Sequence, residues 1–127
     1  MILIDTSAWI EFFRGRPPLS DAVDDAIDAH ETAVCGPILT ELRRGLQSVA
    51  ERRKVLPLLE GCYALTDPPE LWEEAGDLGF FLARRGVTAK SIDLLIATYA
   101  LSHGVPILAA DRDFADMRAA GVKLVLA

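Results

Sequence analysis

Imidazole and thiol groups are scarce in this chain. Its 127 residues include two histidines, His30 and His103, and two cysteines, Cys35 and Cys62. That is too few, at the wrong spacing, for a zinc site or an imidazole-rich metal centre. The cysteines lie far apart in apolar, strand-like surroundings, as two buried reduced thiols would rather than a disulfide. No apolar run approaches the roughly 20 residues of a membrane span. The N-terminal MILIDTSAW meets Asp5 with no basic lead, so it reads as neither a signal peptide nor a membrane anchor, and a cytoplasmic protein is expected. No linker, internal repeat or polar low-complexity tract divides the chain, so residues 1–127 form one domain. A net charge of −6 argues against coating nucleic acid by bulk electrostatics, but it leaves room for an acidic site. The basic residues come in small sets, Arg43 with Arg44, Arg52 to Lys54, and Arg84 with Arg85 and Lys90. Such sets read as solvated helix faces.

Apolar segments and stop signals alternate along the rest. Ile2 to Ile4 is an apolar run ending at Asp5, as a buried parallel strand would be. Thr6 or Ser7 is placed to cap the next helix, which carries Trp9, Ile10 and Phe13 and ends at Gly15 and Pro17-Pro18. Ser20 is expected to cap a second helix, with Val23, Ala26, Ile27 and His30 on one face. Asp21, Asp24, Asp25 and Asp28 repeat at helical spacing on another face, which marks them as solvated. Thr32 to Cys35 reads as a strand, and Gly36-Pro37 starts the helix that carries Glu41. Ser48 to Glu51 fits a capping box for a helix expected to bend or end near Pro57. Cys62 to Leu65 is a third strand. A helix with Leu71, Ala75, Leu78 and Leu82 on one stripe then runs to Gly86. Next come a helix over Ser91–His103 stopped by Gly104, a strand from Pro106 to Ala110, a short helix with Phe114 and Met117, and a final strand from Val122 to Leu126. Strands alternating with helices predict an α/β fold with a mainly parallel sheet.

In such a sheet ligands bind beyond the carboxyl ends of the strands. Asp5 and Asp111 both end apolar strands, and Glu41 lies near the start of a helix that directly follows one. Asp93 sits in the first turn of an otherwise apolar helix. Complementing the helix dipole is worth only roughly 0.3–1 kcal/mol, a weak motive for an acid between Ile92 and Leu94. Three or four crowded carboxylates repel one another and are costly to bury uncompensated. Oxygen-only ligands select Mg²⁺ or Mn²⁺, whose natural chemistry with water and phosphate oxygens is phosphodiester hydrolysis.

The segments ILIDTS, ILTEL, IDLLIATYA and PILAADRDF, in this order, resemble PIN domains, and in particular the toxin ribonucleases of bacterial VapBC toxin–antitoxin pairs. The resemblance spans essentially the whole chain. It implies a three-layer α/β/α fold on a five-stranded parallel sheet and a metal-dependent endoribonuclease leaving 5′-phosphate and 3′-hydroxyl ends. It also implies an acidic tetrad of Asp5, Glu41, Asp93 and Asp111, assisted by Asp113. Thr6 or Ser7 matches the small hydroxyl residue that orients a metal-bound water. The implied partners are an RNA substrate, a second copy of the chain, and a small VapB-like antitoxin whose C-terminal segment enters the acidic groove. One departure from the family pattern is Ala109, where Thr or Ser often stands two residues before the last acid.

Two other acidic Mg²⁺ folds fit less well. A receiver domain needs a phosphoacceptor aspartate on its middle strand and a lysine where Asp111 stands. A haloacid-dehalogenase-like phosphatase needs an aspartate where Ser7 stands. A non-catalytic binding protein that uses the acids only for a partner is the remaining alternative. Trp9, Phe12 and Phe13 give the first helix more aromatic surface than one core-facing stripe needs, whether for the core, a second copy or an antitoxin.

Overall fold

The computed structural model describes residues 1–127. Strand β1 (Ile2–Ile4) leads into α1 (Thr6–Phe13) and α2 (Leu19–Asp28), joined across a cis Pro17–Pro18 peptide. Strand β2 (Thr32–Val34) is followed by α3 (Gly36–Gly45) and α4 (Val49–Glu60), and β3 (Tyr63–Ala64) by α5 (Leu71–Ala83) and α6 (Ser91–His103). Strand β4 (Ile107–Leu108) and α7 (Asp113–Ala119) complete the elements. The four strands pair in parallel in the order β3-β2-β1-β4. The chain therefore winds outward from β1 to β3 and then returns to the other side of β1. That makes the boundary between β1 and β4 the switch point of strand order, where a crevice opens at the carboxyl edge.

The expected fifth strand is reduced to one parallel bridge between Leu126 and Ile107. Its backbone still hydrogen-bonds there, Ile107 N–H to Val125 O and Ala127 N–H to Ile107 O, but too few residues pair to form a ladder. Helix α4 carries Pro57 in its last turn and ends near it, at Glu60. The helix tolerates the missing donor because Arg53, whose carbonyl loses its partner, is exposed. Helix α2 begins at Leu19 behind Pro18, so Ser20 is inside it and caps nothing. Asp5 itself, and neither Thr6 nor Ser7, is the N-cap of α1. Ser48 does cap α4, accepting from Glu51 N–H, while the Glu51 carboxylate reaches past it to Gln47 N–H.

Helix α6 is the spine of the molecule. Leu94 and Ile96 to Ala100 are all buried, so the helix is enclosed nearly all round, and each large apolar side chain removed from water contributes about 1.5–3 kcal/mol. Gly104 ends it in the left-handed region at φ +64°, with its N–H on Ala100 O. Helix α5 packs along α6. The two approach so closely that a Cβ on Gly79 would stand 2.8 Å from Leu94 Cδ1. Trp9, Leu3, Ile4, Ile38, Ile107 and Phe114 fill the remainder of the core. The four acids of α2 are exposed.

Candidate active site

Asp5 is the first residue past β1, and its N–H bonds Leu108 O at 2.9 Å, which continues the β1–β4 pairing to the sheet edge. It is 4 % exposed. Its Oδ2 accepts from Ser7 N–H at 3.2 Å and from Ser7 Oγ–H at 2.6 Å, the arrangement of a helix N-cap. The same Ser7 oxygen accepts from Ala110 N–H at 2.9 Å. One hydroxyl thus fixes Asp5 against the end of β4, immediately before Asp111. Thr6, one residue earlier on α1, donates its hydroxyl to Glu41 Oε1 at 2.8 Å and brings the α3 acid to the same crevice. Both hydroxyls are therefore engaged with carboxylates.

On the other side, Asp111 is exposed, and its Oδ1 accepts from Asp113 N–H at 3.2 Å, which turns the chain into α7. Asp93 occupies the third position of α6 and is 8 % exposed. Burial pushes its carboxyl up to about 7, helped by hydrogen bonding to Asp113, by the Asp113 charge, and then by the charges of Asp5 and Asp111. Burial likewise raises Asp5. The two Ser7 hydrogen bonds pull it back down, and the charges of Asp111 and Glu41 push it up again. Asp93 therefore feels the charges of Asp5, Asp111 and Asp113, and Asp5 those of Asp111 and Glu41. Asp113 acts on Asp93 more strongly than either strand-end acid does.

No cation of the protein compensates these charges. The two ion pairs, Arg16–Glu11 and Arg112–Asp116, both lie outside the set. No three His, Cys, Asp or Glu side chains converge closely enough to hold a metal ion as they stand. The donor set near Asp5 is all oxygen, which is the chemistry of a hard divalent cation and not of Zn²⁺. Cys35, although close enough to feel Asp5 and Glu41, is a protonated core thiol, since burial pushes it up to about 12. His103 is occupied with Thr66 O at 2.7 Å.

One pair near the site is absent from the sequence reading. Tyr99 of α6, 2 % exposed, donates its hydroxyl to Asp67 Oδ1 in the loop after β3. Burial and the Asp67 carboxylate hold the phenol above its ordinary value. With His103 on Thr66 O, α6 clamps that loop at two points. The available signal was Asp67 itself, an acid just past a strand like Asp5 and Asp111.

Comparison with known proteins shows the family and the fold. Residues 2–120 match the PIN domain family. Ribonuclease VapC11 of Mycobacterium tuberculosis is 34% identical over 119 residues, covering 90% of this chain and 89% of that protein. In fold, the chain superposes over its full length on a protein of the VapBC2 complex from Rickettsia felis, which was solved bound to a promoter DNA fragment. The TM-score is 0.78, with 16% identity and 98% of that chain covered. A toxin–antitoxin complex from Klebsiella pneumoniae gives 0.77 at 19% identity, covering 100% of this chain and 97% of that one.

Proposed function

The chain belongs to the PIN-domain family, and on that premise we propose that it is a divalent-cation-dependent endoribonuclease acting as the toxin of a toxin–antitoxin pair. The observation that carries the reading is the uncompensated carboxylate cluster at the β1–β4 switch point, in which burial and mutual repulsion raise Asp5 and Asp93. Asp5, Glu41, Asp93 and Asp111, with Asp113 beside them, are the residues that would hold Mg²⁺ or Mn²⁺. When bound, such an ion supplies an activated water and charge stabilisation for the leaving oxygen.

The protein's own part is positioning. Ser7 holds Asp5 Oδ2 and leaves Oδ1 free, and Thr6 holds Glu41 Oε1 and leaves Oε2 free. Those two oxygens remain available as acceptors, and Asp93 is buried in the first turn of α6. Water attacks phosphorus, the P–O3′ bond breaks, and the ends are a 5′-phosphate and a 3′-hydroxyl.

Two surfaces support an antitoxin partner. The acidic crevice suits a basic side chain. A groove of about 870 Å³ between α1 and the α3–α4 pair, lined by Ile10, Phe12, Phe13, Leu46, Val55 and Leu58, suits the apolar face of a helix. Trp9 is wholly in the core, so the aromatic surplus of α1 divides between core and groove.

The test incubates purified protein with structured RNAs in Mn²⁺ or in EDTA, beside Asp5→Asn and Asp93→Asn. Metal-dependent cleavage lost in both variants is expected. Cleavage that survives chelation or persists in both variants overturns the mechanism, and RNA binding without any turnover leaves only a binding protein.

A further inference from the structure

An open surface depression of about 520 Å³ lies between the α5–α6 connection and α7, lined by Arg85, Val87, Thr88, Asp116, Ala119 and Ala120. We propose that it receives a nucleobase of the RNA beside the scissile bond, and that guanine is the base its polar groups fit. The proposal rests on the ribonuclease reading above.

Position comes first. Asp116 lies one turn along α7 from Asp113, so the two are neighbours on the helix, with Cβ atoms about 5–6 Å apart. Asp113 in turn faces Asp93. The depression therefore begins one helical turn from the carboxylates, within reach of a nucleotide adjoining the one whose phosphate sits there.

Its chemistry suits a base better than a phosphate. The Arg85 guanidinium lies 3.6 Å from the centroid of the Phe81 ring, and its Nη1 donates to Phe81 O at 3.3 Å. It takes part in no ion pair. One face and the remaining N–H groups are thus presented in a fixed plane. The free in-plane donors of Arg85 match the O6 and N7 acceptors of guanine. The Asp116 carboxylate would repel a phosphate but accepts from N–H donors. Among the four bases only guanine presents a ring N–H beside an amino group. The present partner of Asp116 is Arg112 at 4.0 Å, a largely exposed pair that is given up at little cost. Thr88 adds a hydroxyl, and Val87, Ala119 and Ala120 form apolar walls. The basic set Arg84–Arg85–Lys90, which reads as a solvated face in the sequence, thereby acquires a role for Arg85.

The test needs no turnover. Isotope-labelled protein in EDTA, which keeps nucleotide phosphates off the carboxylate crevice, is titrated with each of the four nucleoside 5′-monophosphates while backbone amide shifts are followed. GMP is expected to move the amides of Val87, Thr88 and Asp116 at lower concentration than the other three. Asp116→Asn and Arg85→Met should each weaken GMP at least tenfold and leave the other nucleotides nearly unchanged. In RNAs that differ only at the nucleotide beside the cut, both variants should lose the guanine preference in kcat/KM and keep cleavage of the rest. The proposal is overturned if none of the four nucleotides moves these amides, or if the GMP preference survives both substitutions. Movement with a basic peptide but with no nucleotide also overturns it and assigns the depression to protein docking. If GMP binds there while no RNA is cut, the pocket stands and the ribonuclease reading fails.

Discussion

Replacing Asp93 by Asn should stabilise the metal-free protein, by an amount that grows with pH. The carboxyl of Asp93 ordinarily titrates at 3.8 and is pushed up to about 7 in the fold. Between those values the folded chain binds a proton that the unfolded chain has released. Stability therefore falls as pH rises from about 4 to about 7 and is flat above. The rise corresponds to about 4 kcal/mol. The crevice is open to water at Asp111, and screening there lowers the figure to about 2 kcal/mol. Asparagine matches the protonated carboxyl in shape and cannot ionise, so it escapes the penalty. For a domain of this length about 2 kcal/mol is worth roughly 6–10 °C in Tm.

The assay is thermal denaturation of both proteins in EDTA from pH 4.5 to pH 8. The expected result is near-coincident melting at pH 4.5 and a gap of that size, with Asp93→Asn higher, at pH 8. Adding Mn²⁺ at pH 8 should raise the wild type far more than the variant, because a cation rewards the ionised carboxylate. A gap of constant size across the range would refute the argument, since the difference would then not come from a titration.

Thr6→Val removes the 2.8 Å bond to Glu41 and should cost about 1 kcal/mol in urea denaturation; calorimetry should show weaker Mn²⁺ binding, and unchanged affinity would mean Glu41 keeps its place unaided. Ser7→Ala deprives both Asp5 Oδ2 and Ala110 N–H of a partner, so a larger loss of about 2 kcal/mol is expected by the same measurement. On α5, Gly76→Ala meets nothing within 4 Å and should gain about 0.5–1 kcal/mol in thermal melts. Gly79→Ala meets Leu94 Cδ1 at 2.8 Å and should forfeit that gain, so equal stabilisation by both would show that Leu94 repacks freely.

What the sequence made legible was the part set by local signals. The apolar run Ile2–Ile4 ending in Asp5, and the helix Ser91–His103 stopped by Gly104, appear as expected because each boundary is written in neighbouring residues. The final strand was not legible to the same degree. Val122 to Leu126 has the pattern of a strand, but at the edge of the sheet pairing is decided by what the tertiary fold leaves beside Ile107, and only one bridge forms. Asp5, Thr6 and Ser7 were all chemically able to cap α1, and the choice fell to Asp5 because β1 ends immediately before it. The weight of Asp113 depends on how α7 docks on α6, and the Tyr99–Asp67 bond spans 32 residues of sequence. Asp67 stands out locally as an acid past a strand, but neither its pairing with Tyr99 nor the docking of α7 leaves a periodic or local trace.

The tripeptide Asp5-Thr6-Ser7 explains how such a cluster persists without a basic residue. Successive side chains on a helix point about 100° apart, so adjacent hydroxyls diverge. Thr6 reaches Glu41 on α3, while Ser7 turns back to Asp5 and to the backbone ending β4. Three elements are tied together through neutral donors, each of which satisfies one carboxylate oxygen and leaves the charge in place. An arginine in the same position would hold the acids as firmly but would neutralise them and fill the crevice. The cost of the neutral solution is visible in the raised Asp5 and Asp93 carboxyls. A ligand that binds only the folded state at a hundred times its Kd returns about 2.7 kcal/mol, slightly more than the roughly 2 kcal/mol that ionising Asp93 costs after screening. A single moderately bound cation, or one basic side chain of a partner, is therefore enough to offset the strain of the cluster. With that guest bound, the carboxylates are ionised at neutral pH.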